Sequence, residues 1–242
     1  MTDPQRDRQQ PVTGRESPNP RRGRSHGSHR RGGARRPEQK RSGGGTRKQQ
    51  SSARADARSV ALAVMTAVRE RGAYANLSLP AELRRANLDA RDSALATELT
   101  YGALRAQGLL DRVITLAASR PVEEIDPPVL DVVRLGAYQL LFTRIGAHAA
   151  VDTSVEAARA AGLGRAGAFV NAVLRKISAR ETEQWIGELR EGLSDPISRM
   201  AIGTAHPEWI ARAFAESLGP AAGELAELLA ADDARPKVHP GW

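Results

Sequence analysis

Residues 98–176 read ELTYGALRAQGLLDRVITLAASRPVEEIDPPVLDVVRLGAYQLLFTRIGAHAAVDTSVEAARAAGLGRAGAFVNAVLRK, and this stretch decides the fold. Apolar residues recur at helical spacing through nearly all of it. Pro and Gly break the pattern at intervals, and β-branched alternation is scarce. That combination predicts an all-α protein, a bundle of amphipathic antiparallel helices.

The run from Val129 to Phe142 is apolar around more than half of its helical circumference. A helix of that kind sits at the centre of its bundle. Asp126 is placed to cap it, and Pro127 suits its first position. Gly136 permits a neighbouring helix to approach closely. Upstream, Leu95, Leu99 and Gly102 share one face of a helix capped by Asp89, and Leu109–Ala118 forms another helix. Gly102 costs about 1 kcal/mol against Ala in a helix interior, which close packing offsets. Tyr101 reads as a core or rim aromatic. Downstream, residues 151–161 and 168–179 are two more helices.

Earlier still, Val60, Val64 and Val68 form an i, i+4, i+8 stripe on a first helix that Gly72 ends. Residues 74–80 are expected to be a connector, with Pro80 in the first turn of a short helix to Arg85. Beyond residue 180 comes a more polar helix, 181–190. A helix capped by Asp195 follows, and helical spacing continues through Phe214, Leu218, Leu225, Leu228 and Leu229.

Composition divides the chain sharply. Residues 1–58 carry 16 Lys and Arg against 5 Asp and Glu, a net charge of +11, and the rest carries 20 against 23, a net of −3, which together give the +8 of the whole. Residues 1–55 are rich in Arg, Gly, Ser, Gln and Pro and nearly devoid of apolar side chains. Nothing there offsets the entropy of ordering, so a disordered basic tail with weak, non-specific RNA affinity is expected. The body is slightly acidic and binds an anion only through a local patch.

Several functions are excluded. There is no Cys, so there is no disulfide, thiolate metal site or cysteine nucleophile. The five His are scattered without metal-ligand spacing. No apolar run approaches the ~20 residues that span a bilayer, and no signal-peptide core opens the chain. A cytoplasmic location with no membrane and no metal is expected. His148 lacks a nucleophile or carboxylate constellation and reads as a structural His near a helix start, bonded to backbone. The segment Gly162, Gly164 and Gly167 fits G-x-G-x-x-G. A helix rather than a strand precedes it, which rejects a dinucleotide loop. Its approach to a helix N-terminus still favours an anion such as an RNA phosphate beside Arg165.

Four segments carry a family resemblance: ELTYGALR at 98–105, RLGAYQLLF at 134–142, HAAV at 148–151 and FVNAVLRK at 169–176. In order and spacing they resemble the N-terminal domain of bacterial 16S rRNA cytosine-5 methyltransferases of the Sun/Fmu or RsmB type. That domain is itself similar to the antitermination factor NusB. The resemblance spans roughly residues 55–235. HPEW at 206–209 resembles the signature that introduces the catalytic half of that family. The implied organisation is a tail at 1–55, a NusB-like RNA-binding domain at 56–190, and at 191–242 a linker with the first helices of a further domain.

The resemblance implies RNA, in particular ribosomal RNA, as partner. Arg54 and Arg58 match RNA-contacting positions around the first helix by location. Arg165, Arg175, Lys176 and Arg180 form a second basic patch in the otherwise acidic body. S-adenosylmethionine is the cofactor of the full-length family. Methyl transfer to cytosine carbon 5 needs a thiolate and a pocket at the ends of a parallel sheet. Neither is legible here, so the chain is expected to carry no catalytic residue and to be inactive alone, as a truncated product or incomplete gene model. Two alternatives stay open. One is a free-standing antitermination-type factor that pairs with a ribosomal protein. The other is a helical protein-interaction module.

Overall fold

The computed structural model describes residues 56–232, all within one compact unit, Gln49–Trp242. The expectations for the basic tail, and for Arg54, lie outside the described residues. Local causes set most helix boundaries. Helix α1 (Ala57–Arg71) starts at Asp56, whose carboxylate accepts the Ser59 N–H while the Ser59 hydroxyl accepts the Asp56 N–H. It stops at Gly72, in the left-handed region at φ 59°. Helix α2 (Ala75–Ala86) follows. Helix α3 (Ala90–Arg105) begins where Asp89 accepts the Asp92 N–H at 2.8 Å. Helix α4 (Gln107–Ala118) continues it after a joint at Ala106. Then come α5 (Pro127–Phe142), α6 (Ala147–Ala160), α7 (Gly167–Ser178) and α8 (Thr182–Glu191). The last three are α9 (Pro196–Gly203), α10 (Glu208–Leu218) and α11 (Leu225–Asp232). Among the described residues there is no strand.

Three sequence expectations are corrected. Pro80 lies inside α2 rather than in its first turn, because the helix starts at Ala75. Leu79 is buried in the small α1–α2–α3 core, and that tertiary anchoring holds the turns on both sides of a residue that donates no backbone hydrogen bond. Asp126 occupies the cap of α5 without a side-chain hydrogen bond. Pro127 and Pro128 have no N–H, so two of the groups a cap would satisfy do not exist. His148 bonds not to backbone but to the Asp152 carboxylate, Nδ1 to Oδ2 at 2.8 Å, one turn along α6, with both side chains exposed.

Helix α5 is the hub, as its composition predicts. Every residue from Val129 to Gln139 is buried, and α1, α3, α4, α6 and α7 all pack on it. Each fully buried Leu, Val or Ile contributes about 1.5–3 kcal/mol relative to exposure. The two glycines work as close-approach points. A Cβ on Gly102 would overlap the Tyr138 ring, and one on Gly136 would press into Leu174 and Ser154. Tyr138 also donates its hydroxyl to Glu98 at 2.8 Å and stacks on Phe142.

The hub carries charge as well. Asp131 accepts from Arg69 at 2.7 Å, and Arg134 holds Asp111 with two bonds at 2.7 and 2.8 Å while touching Asp131 at 3.4 Å. The Asp131 hydrogen bond raises the Arg69 pKa above its ordinary value. This chain of ions fastens α1, α5 and α4 together. Trp185 of α8 closes the bottom of the main core, 2 % exposed, with its ring N–H donating to the Ile177 carbonyl. A separate cluster of Ala201, Ala211, Leu225 and Leu229 joins α9, α10 and α11.

Candidate nucleic-acid interface

The basic residues singled out from sequence have different fates. Arg58, half-buried on α1, donates from Nε to the Gln139 side chain at 2.8 Å. It therefore bonds the first helix to the hub. Lys176 is exposed on α7 but reaches α4, at 3.4 Å from the Leu116 carbonyl and 3.2 Å from the Ser119 hydroxyl. There it complements the C-terminal carbonyls of that helix. Arg180 pairs with Glu188 at 2.6 Å and lies over the Trp185 ring at 4.2 Å.

Arg165 and Arg175 are different. Both are exposed, and among the described residues neither has a carboxylate partner. Arg165 sits in the short 3-10 turn Gly164–Ala166 ahead of α7, and Arg175 sits in the last turn of α7. Arg175 donates to Asn171 one turn back at 3.2 Å and lines a hollow of about 400 Å³ with Ala147, His148 and the carboxylate-bearing Asp152 of α6. The glycine segment opens on a different hollow, of about 430 Å³, between α6 and α7. Asp152 and Glu156 line it together with Arg159, so carboxylates face that helix start. The structure thus spreads the second basic patch along α7 rather than gathering it at one point.

The glycine segment runs from helix α6 into helix α7, with Gly162 at φ 78°. It has no parallel strand before it and does not fit an S-adenosylmethionine pocket, which the resemblance assigns to the full-length family. Sequence reading missed the ionic chain of Arg69, Asp131, Arg134 and Asp111. Its one local signal was the i, i+3 pairing of Asp131 and Arg134 within an apolar helix.

The C-terminal helices carry a second charged group. Arg212 bonds Glu208 at 2.6 Å and Asp195 at 3.1 Å. The Ser198 hydroxyl and backbone N–H, and then Arg212, hold the Asp195 carboxyl below its usual range, and Arg212 does the same to Glu208. His206 is buried, with Nε2 at 3.1 Å from Asp232 at the end of α11.

A helical bundle centred on a buried α5, with a basic edge along α7, defines the class as a NusB-like all-α domain. Residues 55–179 match the NusB family, and the chain belongs to that family. A Mycobacterium tuberculosis protein that bears a methyltransferase name is 53% identical over 184 residues, 76% of this chain and 40% of its own length. The ribosomal RNA small subunit methyltransferase B of Pseudomonas putida is 35% identical over 157 residues, 65% of this chain and 34% of its own. That of Thermus thermophilus is 42% identical over 129 residues, 53% and 31% of the two chains. The chain spans two-fifths or less of the length of these relatives. The crystal structure of PH0851 shares the fold, with a TM-score of 0.57 at 14% identity over 75% of this chain and 39% of that one. No helix among the described residues is long and apolar enough to cross a membrane.

Proposed function

We propose that the helical body, residues 56–190, is the RNA-docking module of a ribosomal RNA cytosine-5 methyltransferase, with ribosomal RNA as its partner. One observation carries this reading. Relatives that match the body are named ribosomal RNA small subunit methyltransferase B, so the same domain is used beside that chemistry. The geometry supports it through Arg165 and Arg175, whose guanidinium groups are exposed and without a carboxylate partner among the described residues. Such groups neutralise phosphates and release counterions. The basic tail adds non-specific attraction. The helical body would hold the RNA for a methyl transfer that S-adenosylmethionine would supply in the full-length family.

The similarity to the Mycobacterium protein covers 184 residues, a longer stretch than the NusB-matched residues 55–179. That favours the methyltransferase parent over a free-standing antitermination factor.

The test is binding of a fluorescent ribosomal RNA fragment across a salt series, to the whole chain and to residues 56–242. Affinity of the body that persists near physiological salt, and that falls when Arg165 and Arg175 are changed to Gln, is expected. Binding lost entirely with the tail would place RNA affinity outside the helical body and favour a protein-interaction role for it.

A further inference from the structure

A hollow of about 500 Å³ opens between α8 and α9, lined by Arg190, Ser194, Pro196, Arg199 and Met200. Two of its five lining residues are arginines and none is acidic. The Arg190 guanidinium is placed rather than loose. Its Nε donates to the Arg199 carbonyl at 3.1 Å, and one of its terminal nitrogens lies against Gly203, where any Cβ would overlap it. Gly203 ends α9 without a left-handed φ, so its lack of a side chain serves space and not backbone conformation. Arg199 spends one terminal nitrogen on a long contact, 3.4 Å, to the Leu193 carbonyl. Among the described residues neither arginine has a carboxylate partner. Of the acidic residues close in sequence, Asp195 is committed to Ser198 and Arg212, Glu188 is committed to Arg180, and Glu191 is exposed at the end of α8. Two cations facing one open hollow repel each other, and an anion between them removes that repulsion. The guanidinium donors that these contacts leave over suit the oxygens of a phosphate.

The geometry points to a phosphate-binding notch formed by Arg190 and Arg199 and seated on Gly203. It lies beyond the segment that matches the NusB family, residues 55–179, and outside the patch read from sequence. It deepens the RNA-docking reading and rests on it for the source of the phosphate, the RNA backbone. With α7, it gives the chain a second, separate phosphate contact.

The experiment uses the full chain with Arg190→Gln, Arg199→Gln and Gly203→Ala, and Arg144→Gln as an exposed arginine outside the notch. Melting temperatures first establish that the variants stay folded. Gly203→Ala is the discriminating change. It keeps every charge and displaces only the flexible end of Arg190. Single-stranded and duplex fragments of ribosomal RNA are titrated in a salt series. In parallel, the side-chain Nε–H signal of Arg190 is followed by NMR as inorganic phosphate is added. The notch variants are expected to weaken RNA binding about tenfold, with a salt slope shallower by about 1 for each arginine lost. Arg144→Gln is expected to do less, and the Arg190 signal to move with phosphate in the wild type but not in Gly203→Ala.

Unchanged RNA affinity in all three notch variants together with an unmoved Arg190 signal overturns the notch and leaves the RNA reading standing. Equal loss in Arg144→Gln and the notch variants reduces the effect to diffuse charge and also overturns it. A moving Arg190 signal in a chain that binds no RNA keeps the notch, as a site for a free phosphate group, and removes the RNA reading instead.

Discussion

Arg134 grips both carboxylate oxygens of Asp111, Nε to Oδ1 at 2.7 Å and a terminal nitrogen to Oδ2 at 2.8 Å, across the contact between α5 and α4. The pair is part of a longer line in which Asp131 also receives Arg69. A partly buried ion whose partner is removed keeps its desolvation cost and loses its compensation. Arg134→Ala is therefore expected to destabilise the body by about 3 kcal/mol, read as a lower urea midpoint at unchanged slope. Arg134→Met, which fills the space, is expected to recover part of that only when Asp111→Leu accompanies it.

Two glycine substitutions are expected to move stability in opposite directions. Gly102→Ala forces a Cβ into the Tyr138 ring and is expected to cost about 1–3 kcal/mol. Gly187, inside α8, has open space where a Cβ would stand. Gly187→Ala is expected to add about 0.5–1 kcal/mol through helix propensity alone. Thermal melts of the two single variants and the pair check both signs. The sites share no contact, so the effects are expected to add.

Arg180 and Arg175 are neighbours in sequence with different duties. Arg180 packs on the Trp185 ring and pairs with Glu188, so Arg180→Ala is expected to cost up to about 1 kcal/mol and to raise the accessibility of Trp185 to a fluorescence quencher. Arg175→Ala is expected to leave stability within about 0.5 kcal/mol while weakening RNA binding. A quenching change in Arg175→Ala and none in Arg180→Ala would contradict this division.

The Asp195, Glu208 and Arg212 group predicts a pH dependence confined to α9 and α10. Both carboxyls are held below their ordinary values, so each binds protons less readily folded than unfolded. Their contribution is complete above the ordinary carboxylate values near pH 4 and is lost as the pH falls through the lower folded values. Amide exchange in α10 is expected to be slower in the wild type than in Arg212→Gln at pH 6, with the difference closing as the pH falls below the ordinary carboxylate values. A difference that grows as the pH falls would show the sign to be wrong.

Much of the fold was legible in sequence because its causes act within a few residues. The Asp89 cap, the end of α1 at Gly72 and the burial of the Val129–Gln139 run follow from local spacing and backbone preference. Where neighbouring elements intervened, reading along the chain failed. Pro80 looked like a first-turn residue, yet burial of Leu79 extends α2 on both sides of it. Trp185 looked like part of a polar connecting helix, yet it closes the main core through a bond to the Ile177 carbonyl.

The sequence by itself determined that this chain is a helical bundle with its hub at α5, a slightly acidic body and a cluster of arginines and a lysine along α7. Helix periodicity, caps and charge are properties of short windows, so they survive without coordinates. Only the tertiary structure decided which cations are spent and which are available. Arg58 bonds Gln139 across 81 positions and Lys176 bonds Ser119 across 57, whereas Arg165 and Arg175 have no carboxylate partner among the described residues. Arg190 and Arg199 line one hollow because α8 and α9 pack against each other. An arginine's role depends on what lies across from it, and that partner is set by how the helices pack.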